Sequence, residues 1–424
     1  MKARTFLFCV MVILSMTLPH LYAQNIFSFN GYYKSFFVVF KQPDYRVSGT
    51  TQISPPLGSV ADKLRLQFVA VPLEWLSFHL TYQIVPTIQD PSLFGQSLFL
   101  SDSGGDTYRL IDFDSRLYPV TGESVDSFAF FHNLDRLNAV LKLPFADIII
   151  GRQAIAWGSA HVFNPTDILA PYAFTELDTE ERSGVDALRV RIPLGMLDEL
   201  DIGYVAGKDL AWEKSAAFAR VRVNIWDTDL TIMSAAFRQN LLLGVDMARS
   251  LGGAGVWLEG AYVMPDLLKE GTGSGREDDY LGVAVGLDYN FDFNLYVFVE
   301  YYFNSAGSNN PEDYITGSTH TAYRDGAVYL LGQHYINLGL TYQLHPLIPV
   351  SALFMWNVTD LSLMVNLSLE YNIAENIYLT AGTYIGFGAG PEKIEVAPGV
   401  YVPRLNSEFG AYPEMVYTSF RIYF

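Results

Sequence analysis

The chain has 424 residues, of which 50% are hydrophobic, 15% aromatic and only 17% charged, with 45 acidic against 27 basic side chains and a formal net charge of −18. So aromatic and charge-poor a composition excludes an intrinsically disordered chain, and so acidic a balance excludes a general binder of the nucleic-acid backbone. Beyond the first two dozen residues no stretch approaches the ~18 uninterrupted apolar residues of a spanning helix, which excludes a polytopic helical membrane protein.

The first element in chain order is a leader. Lys2 and Arg4 precede an apolar run from Phe6 to Leu18, and Leu21-Tyr22-Ala23 forms an A-x-A-like cleavage site, so residues 1–23 are expected to be a secretory signal peptide and 24–424 the exported domain. Cleavage would remove two basic and no acidic side chains, taking the net charge from −18 to −20, and would also remove Cys9, the only cysteine. The exported domain then has neither a disulfide framework nor a thiolate metal site.

Eighteen strand candidates follow, near 27–40, 62–71, 75–88, 134–144, 146–157, 182–193, 198–207, 215–226, 228–239, 241–251, 254–265, 280–291, 294–304, 334–345, 349–359, 361–373, 376–388 and 412–424. Their signature is a period of two. Leu361, Leu363, Val365, Leu367, Leu369 and Tyr371 alternate with Ser362, Asn366, Ser368, Glu370 and Asn372, and the runs from Leu281 and Ile336 behave alike. Strands of a soluble sandwich run nearer 5 or 6 residues, whereas a tilted membrane strand needs about 9 to 11, so length selects the membrane.

Loop lengths agree. Short links at 72–74, 144–145, 195–196, 226–227, 252–253, 292–293, 345–349 and 374–375 fall at even junctions, whereas 41–61, 89–133, 158–181, 266–279, 305–333 and 389–411 fall at odd ones, although the odd links near 240 and 360 are tight. That parity is the pattern of a bacterial outer-membrane barrel, with short periplasmic turns and longer outer loops. The chain ends in an alternating segment, Tyr417 to Phe424, whose final aromatic resembles the C-terminal signal read by the barrel-insertion machinery. The expected fold is therefore all-β, a transmembrane antiparallel barrel of about eighteen strands, with outer-membrane lipid around it and its last strand paired to its first.

With the apolar set facing lipid, the other set lines the lumen. Lys63, Arg65, Arg136, Lys142, Arg152, Arg189, Arg191, Arg220, Arg222 and Arg421 form a basic stripe, and Asp246, Glu259, Asp288, Glu300 and Glu370 an opposing acidic wall. Such residues either build salt-bridged ladders that rigidify the barrel or attract and orient an anionic solute. The segment 151–172, GRQAIAWGSAHVFNPTDILAPY, is the most distinctive: Trp157-Gly158 leads into an Asn164-Pro165-Thr166-Asp167 turn and then into an acidic stretch that includes Glu180. A turn of that composition can carry a loop, 159–181, away from the wall to form a constriction. In its Gly-Arg-Gln, Trp-Gly and Asn-Pro-x-Asp pattern the segment resembles the alginate-export-type family of outer-membrane porins. The resemblance implies a monomeric channel for the export or uptake of an anionic polysaccharide or related organic acid; the sizeable acidic wall departs from it.

Catalytic chemistry has little signal. The six histidines after residue 23 show no i, i+4 pairing for zinc, and Ser159, His161 and Asp167 share one loop without a nucleophile's strand context. Asn309, Asn310, Glu312 and Asp313 have the ligand chemistry of a calcium loop, but loop acids are usually just solvated. No glycine-rich phosphate loop is present. The expectation is a non-enzymatic outer-membrane porin with no metal or cofactor, passing anionic solutes passively; the alternative is a surface-binding or structural barrel that works through its loops 89–133, 305–333 and 389–411.

Overall fold

The computed structural model describes residues 26–47, 50–93, 108–113, 115–120, 122–172, 176–269, 277–325, 328–397 and 399–424; the expected signal peptide lies outside them. Alternation folds these residues into eighteen consecutive antiparallel wall strands. They are β1 (Phe27–Lys41), β2 (Pro56–Leu73), β3 (Leu76–Gln89), β4 (Phe128–Leu143), β5 (Ala146–Gln153) and β6 (Val185–Pro193). Next come β7 (Glu199–Val205), β8 (Ala216–Ile225), β9 (Thr228–Phe237), β10 (Asn240–Leu251), β11 (Ala254–Met264) and β12 (Tyr280–Phe291). The wall ends with β13 (Leu295–Asn304), β14 (His334–His345), β15 (Ile348–Asn357), β16 (Ser362–Ala374), β17 (Ile377–Phe387) and β18 (Glu414–Tyr423).

Each strand pairs with its neighbours, and β18 pairs with β1 from Tyr32↔Tyr423 to Lys41↔Glu414, which closes the sheet and leaves no edge in the hydrocarbon. One short extra strand, Arg116–Tyr118, pairs with β4. Residues 45–47, 50–52, 392–397 and 400–404 form a separate four-stranded sheet from the loops after β1 and β17.

The outward set is apolar and exposed, as the alternation requires: Leu281, Val285, Leu287 and Tyr289 on β12 and Leu367, Leu369 and Tyr371 on β16 all face away from the lumen. Trp75, Phe145, Trp226 and Phe293 stand exposed at the short-turn end, the position of an aromatic girdle. Several hairpins are tight enough to need positive φ at both corners, as at Trp226-Asp227 and Gly252-Gly253, and the odd-numbered link near 240 is one of them, at Arg238-Gln239.

Two differences from the sequence reading matter for the lumen. First, β5 stops at Gln153 and β6 starts at Val185, so Trp157 belongs to an inward loop rather than to a strand end. Second, the inner face is not polar throughout. Near the loop end, Val205, Phe218, Met233, Phe237, Leu242 and Val263 point inward and are buried under Ile155, Trp157, Ile168 and Leu169 of the inward loop. Covered by folded chain instead of water, that part of the wall is a core, and burying apolar side chains there is what holds the loop down.

Candidate functional site

The site is built by the inward loop, residues 154–172 and 176–184, against the barrel wall. Gly158 makes the first bend possible: its φ is +99°, and an added Cβ would come within 2.2 Å of the Asn164 Oδ1. From there the loop crosses the acidic wall with its backbone N–H groups aimed at carboxylates. Glu259 accepts from Ser159 N at 3.1 Å, Ala160 N at 3.2 Å, Thr166 N at 2.8 Å and Thr166 Oγ1 at 2.7 Å. Glu300 accepts from His161 N at 2.7 Å, Val162 N at 3.3 Å and Phe163 N at 3.2 Å, and also from Trp257 Nε1. Both carboxylates are fully buried. They replace the hydrogen bonds that an irregular, dehydrated segment would otherwise lack.

The returning half of the loop meets the basic stripe. On three adjacent strands, Arg421, Lys34 and Lys63 lie directly opposite one another in register. Like charges so placed repel, and the loop supplies the counterions. Asp178 stands 2.7 Å from Lys34 and 2.8 Å from Lys63, while Glu180 stands 2.8 Å from Lys34 and 2.6 Å from Arg421. Burial works against ionisation of the Asp178 carboxyl, but Lys63 and Lys34 hold it down at about 2.

Further round the wall, Arg65 pairs with Asp135 at 2.5 Å and with Glu181 at 3.3 Å, and Arg136 pairs with Asp135 at 2.6 Å. Arg152 pairs with Asp186 and Asp112, Arg189 with Asp201 at 2.6 Å, Arg191 with Glu199 at 2.6 Å, and Arg421 also with Glu370. Strict alternation would turn Asp135 to the lipid; a bulge opposite Thr81/Tyr82 adds one residue to β4 and brings Asp135 and Arg136 to the same inner side.

Three cations on the stripe stand apart from this pairing. Arg220 and Arg222, on β8 beyond Phe218 toward the short-turn end, are half-buried, and neither forms an ion pair or donates a side-chain hydrogen bond among the described residues. Asp201, Asp246 and Glu199 act on Arg220 only through space. Lys142 is exposed at the end of β4, also without an ion pair among the described residues.

The loop residues singled out by sequence have separate tasks. Trp157 packs edge-on against Phe218 with ring centres 4.8 Å apart. Asn164 and Asp167 make the turn, in which Asp167 N donates to Asn164 O at 3.1 Å, and the Asp167 carboxylate pairs with Arg182 at 2.9 Å. Burial pushes Asp167 up to about 6 in spite of Arg182. His161 stacks on Trp257 at 4.1 Å and bonds to Tyr296 and Asp288, while the Ser159 hydroxyl donates to Asp246, so the three triad residue types each serve another partner. On the outer loop, Asn310 caps the turn at Glu312 and Glu312 pairs with Arg404; among the described residues no cluster of three or more His, Cys, Asp or Glu is placed to hold a metal.

The loop leaves open space beside it. A cavity of about 500 Å³ lies between it and β13 to β18, with Phe163, Tyr302, Asn366, Tyr384 and Tyr417 on its walls. Sequence reasoning missed this neutral aromatic wall and missed Lys34, the most buried cation of the seam. The signals were present as the Tyr384 and Tyr417 positions of the inward sets, but nothing in a strand pattern tells which part of an inner face a loop will cover.

No family model and no curated protein matches the chain. Solved structures do. OccAB2 of Acinetobacter baumannii is similar at a TM-score of 0.51 with 11% identity over 93% of this chain and 98% of that one. OpdQ of Pseudomonas aeruginosa is similar at 0.52 with 8% identity over 94% and 97%. OccK11 (OpdR) of Pseudomonas aeruginosa is similar at 0.50 with 10% identity over 95% and 100%. At these identities the likeness is one of fold, and it runs nearly end to end: the chain has the closed eighteen-strand architecture of a bacterial outer-membrane barrel.

Proposed function

We propose that the chain is an outer-membrane diffusion channel whose lumen favours anionic organic solutes, acidic saccharides among them. The observation that carries this reading is the state of Arg220 and Arg222: on a wall where Lys34, Lys63, Arg65, Arg136, Arg152, Arg189, Arg191 and Arg421 all have carboxylate partners, these two face the lumen without one. An unpaired guanidinium in a confined passage attracts an anion far more than one neutralised at 2.6 Å. The Gly151–Tyr172 resemblance to alginate-export-type porins supports an acidic saccharide as one such anion. The test is the reversal potential of the refolded barrel in a planar bilayer under a salt gradient. The parent should prefer anions, and R220Q/R222Q should lose most of that preference; an unchanged reversal potential would overturn the assignment.

A further inference from the structure

The cavity beside the inward loop faces a different wall from Arg220 and Arg222, and its chemistry is different. Among its rings are Phe163 from the loop, Tyr302 from β13, Tyr384 from β17 and Tyr417 from β18, with Phe163 and Tyr302 already in contact at 5.1 Å and Tyr384 and Tyr417 at 6.1 Å. Two aromatic pairs thus bound the space. Between them the wall offers neutral hydrogen-bonding groups, Thr341, Ser351 and Asn366, all half-exposed and inward-facing.

No uncommitted lysine or arginine lines the cavity among the described residues. Arg182 is the one arginine or lysine on its lining among the described residues, and it is committed: it pairs with Asp167 at 2.9 Å, donates to Ala170 O at 3.0 Å and lies 3.6 Å over the Tyr172 ring. The remaining charged groups of the lining, Asp167 and Glu176, are acidic. A carboxylate or phosphate entering here would find no free cation and would meet two carboxylates. Thr341 Oγ1 and Ser351 Oγ share one hydrogen bond at 3.0 Å, and a flat apolar molecule would dehydrate the rest of their bonding capacity and that of the Asn366 carboxamide, which costs free energy.

What fits both features is a molecule with an apolar ring face and a hydroxylated rim. We infer that this cavity is a saccharide-binding subsite of the channel, one that recognises the pyranose ring through aromatic faces and neutral hydrogen bonds and offers no free cation to an acidic substituent. The inference rests on the reading of the lumen as a solute route and assigns the ring-recognising part of it. The volume of about 500 Å³ accommodates one or two hexose units, within the range of small-molecule pockets. Aromatic–ring contacts contribute through burial and the polarised C–H edge of the sugar, and Asn366 can both donate and accept.

The experiment is saturation-transfer NMR on the refolded full-length barrel in detergent micelles, with cellobiose as the neutral probe and sodium glucuronate as the charged one. Cellobiose should bind, and Y384A and N366A should each weaken it about three- to tenfold, the loss expected for one ring contact or one hydrogen bond. Y384F, which keeps the ring, should retain binding, and each variant is checked for folding by its mobility shift on unheated gels. R220Q/R222Q should leave cellobiose binding unchanged. No binding of cellobiose, or binding equal in Y384A, Y384F and the parent, overturns the subsite. Binding of glucuronate alone, abolished by R220Q/R222Q, also overturns it while leaving the channel reading intact. Cellobiose binding in a barrel that shows no conductance would sustain the subsite and count against the channel.

Discussion

Replacing Asp178 by asparagine tests whether the inward loop is the counterion of the barrel seam. Asp178 bridges Lys34 at 2.7 Å and Lys63 at 2.8 Å, and the Lys34 side chain has no exposed surface. Its carboxyl is held down from 3.8 to about 2, burial being outweighed by Lys63 and Lys34. A depression of that size corresponds to about 2.5 kcal/mol of stabilisation from the ionised group. Breaking a buried pair outright costs about 3–5 kcal/mol. Glu180 stays 2.8 Å from Lys34 in the variant's place, so D178N should lose the smaller amount, about 2–3 kcal/mol at neutral pH. The pH dependence has a definite sign. A carboxyl whose folded value lies below its unfolded one contributes fully above about pH 4 and loses that contribution as the pH falls through about 2, below which both states are protonated. Parent and D178N should differ in urea unfolding at neutral pH, followed by tryptophan fluorescence in micelles, and converge below about pH 2. A variant within about 0.5 kcal/mol of the parent at neutral pH, the range of an ordinary surface change, or a difference that persists below about pH 2, would refute the bracing role.

Three further perturbations probe other parts of the same construction. E300A strips the acceptor from His161, Val162 and Phe163 N–H; at about 1–3 kcal/mol for each buried donor left unpaired, the loop should loosen, and single-channel conductance should rise and flicker, with E300Q showing less of both. G151A places a Cβ 2.3 Å from Leu137 O at a φ of +110°, so it should cost about 1–3 kcal/mol in urea unfolding. Glu408 lies in the loop before β18, fully buried, accepting from Leu331 N and the Asn357 amide and from Tyr335 OH, and burial raises it from 4.5 to about 7. Because the unfolded chain ionises first, the parent should lose about 3 kcal/mol as the pH rises from about 4.5 through about 7, whereas E408Q should show no such slope.

The wall of the barrel was legible in the sequence because one physical constraint dominates it. Hydrocarbon outside forces an apolar residue at every second position, so the eighteen strands and most of their hairpins could be read from alternation and link length. The lumen was legible only as far as that same alternation reached. It put Arg189 and Arg220 inside, but it placed Asp135 outside, since a bulge inserts a residue without leaving a compositional trace. It also could not match cations with partners, because the pairing is made by a loop distant in sequence: Lys34 and Asp178 are 144 residues apart. The apolar inner face of β8 to β11 had a visible signal in Phe218, Met233, Phe237, Leu242 and Val263, all in the inward phase. In a water-filled barrel such a run would be out of place, and its presence is itself the mark of a loop folded against it.

A count of inward arginines therefore overstates what a solute would meet. Most of the basic stripe is already paired, part of it with Asp178, Glu180 and Glu181 of the loop and part with Asp135, Asp186, Asp201 and Glu199 of the wall. The acidic wall is engaged too, since Glu259 and Glu300 spend their oxygens on loop N–H groups. On the proposed reading, selectivity follows from what is left after pairing: Arg220 and Arg222 below the loop, with Lys142 exposed at the turn end, and the aromatic space beside it. These remainders act on different observables. Removing the two guanidiniums should move the reversal potential and leave ring recognition alone, whereas removing Tyr384 should do the reverse. A variant at either place that moved both would mean that the loop couples them, which would point to the inward loop rather than the wall as the element that reads the solute.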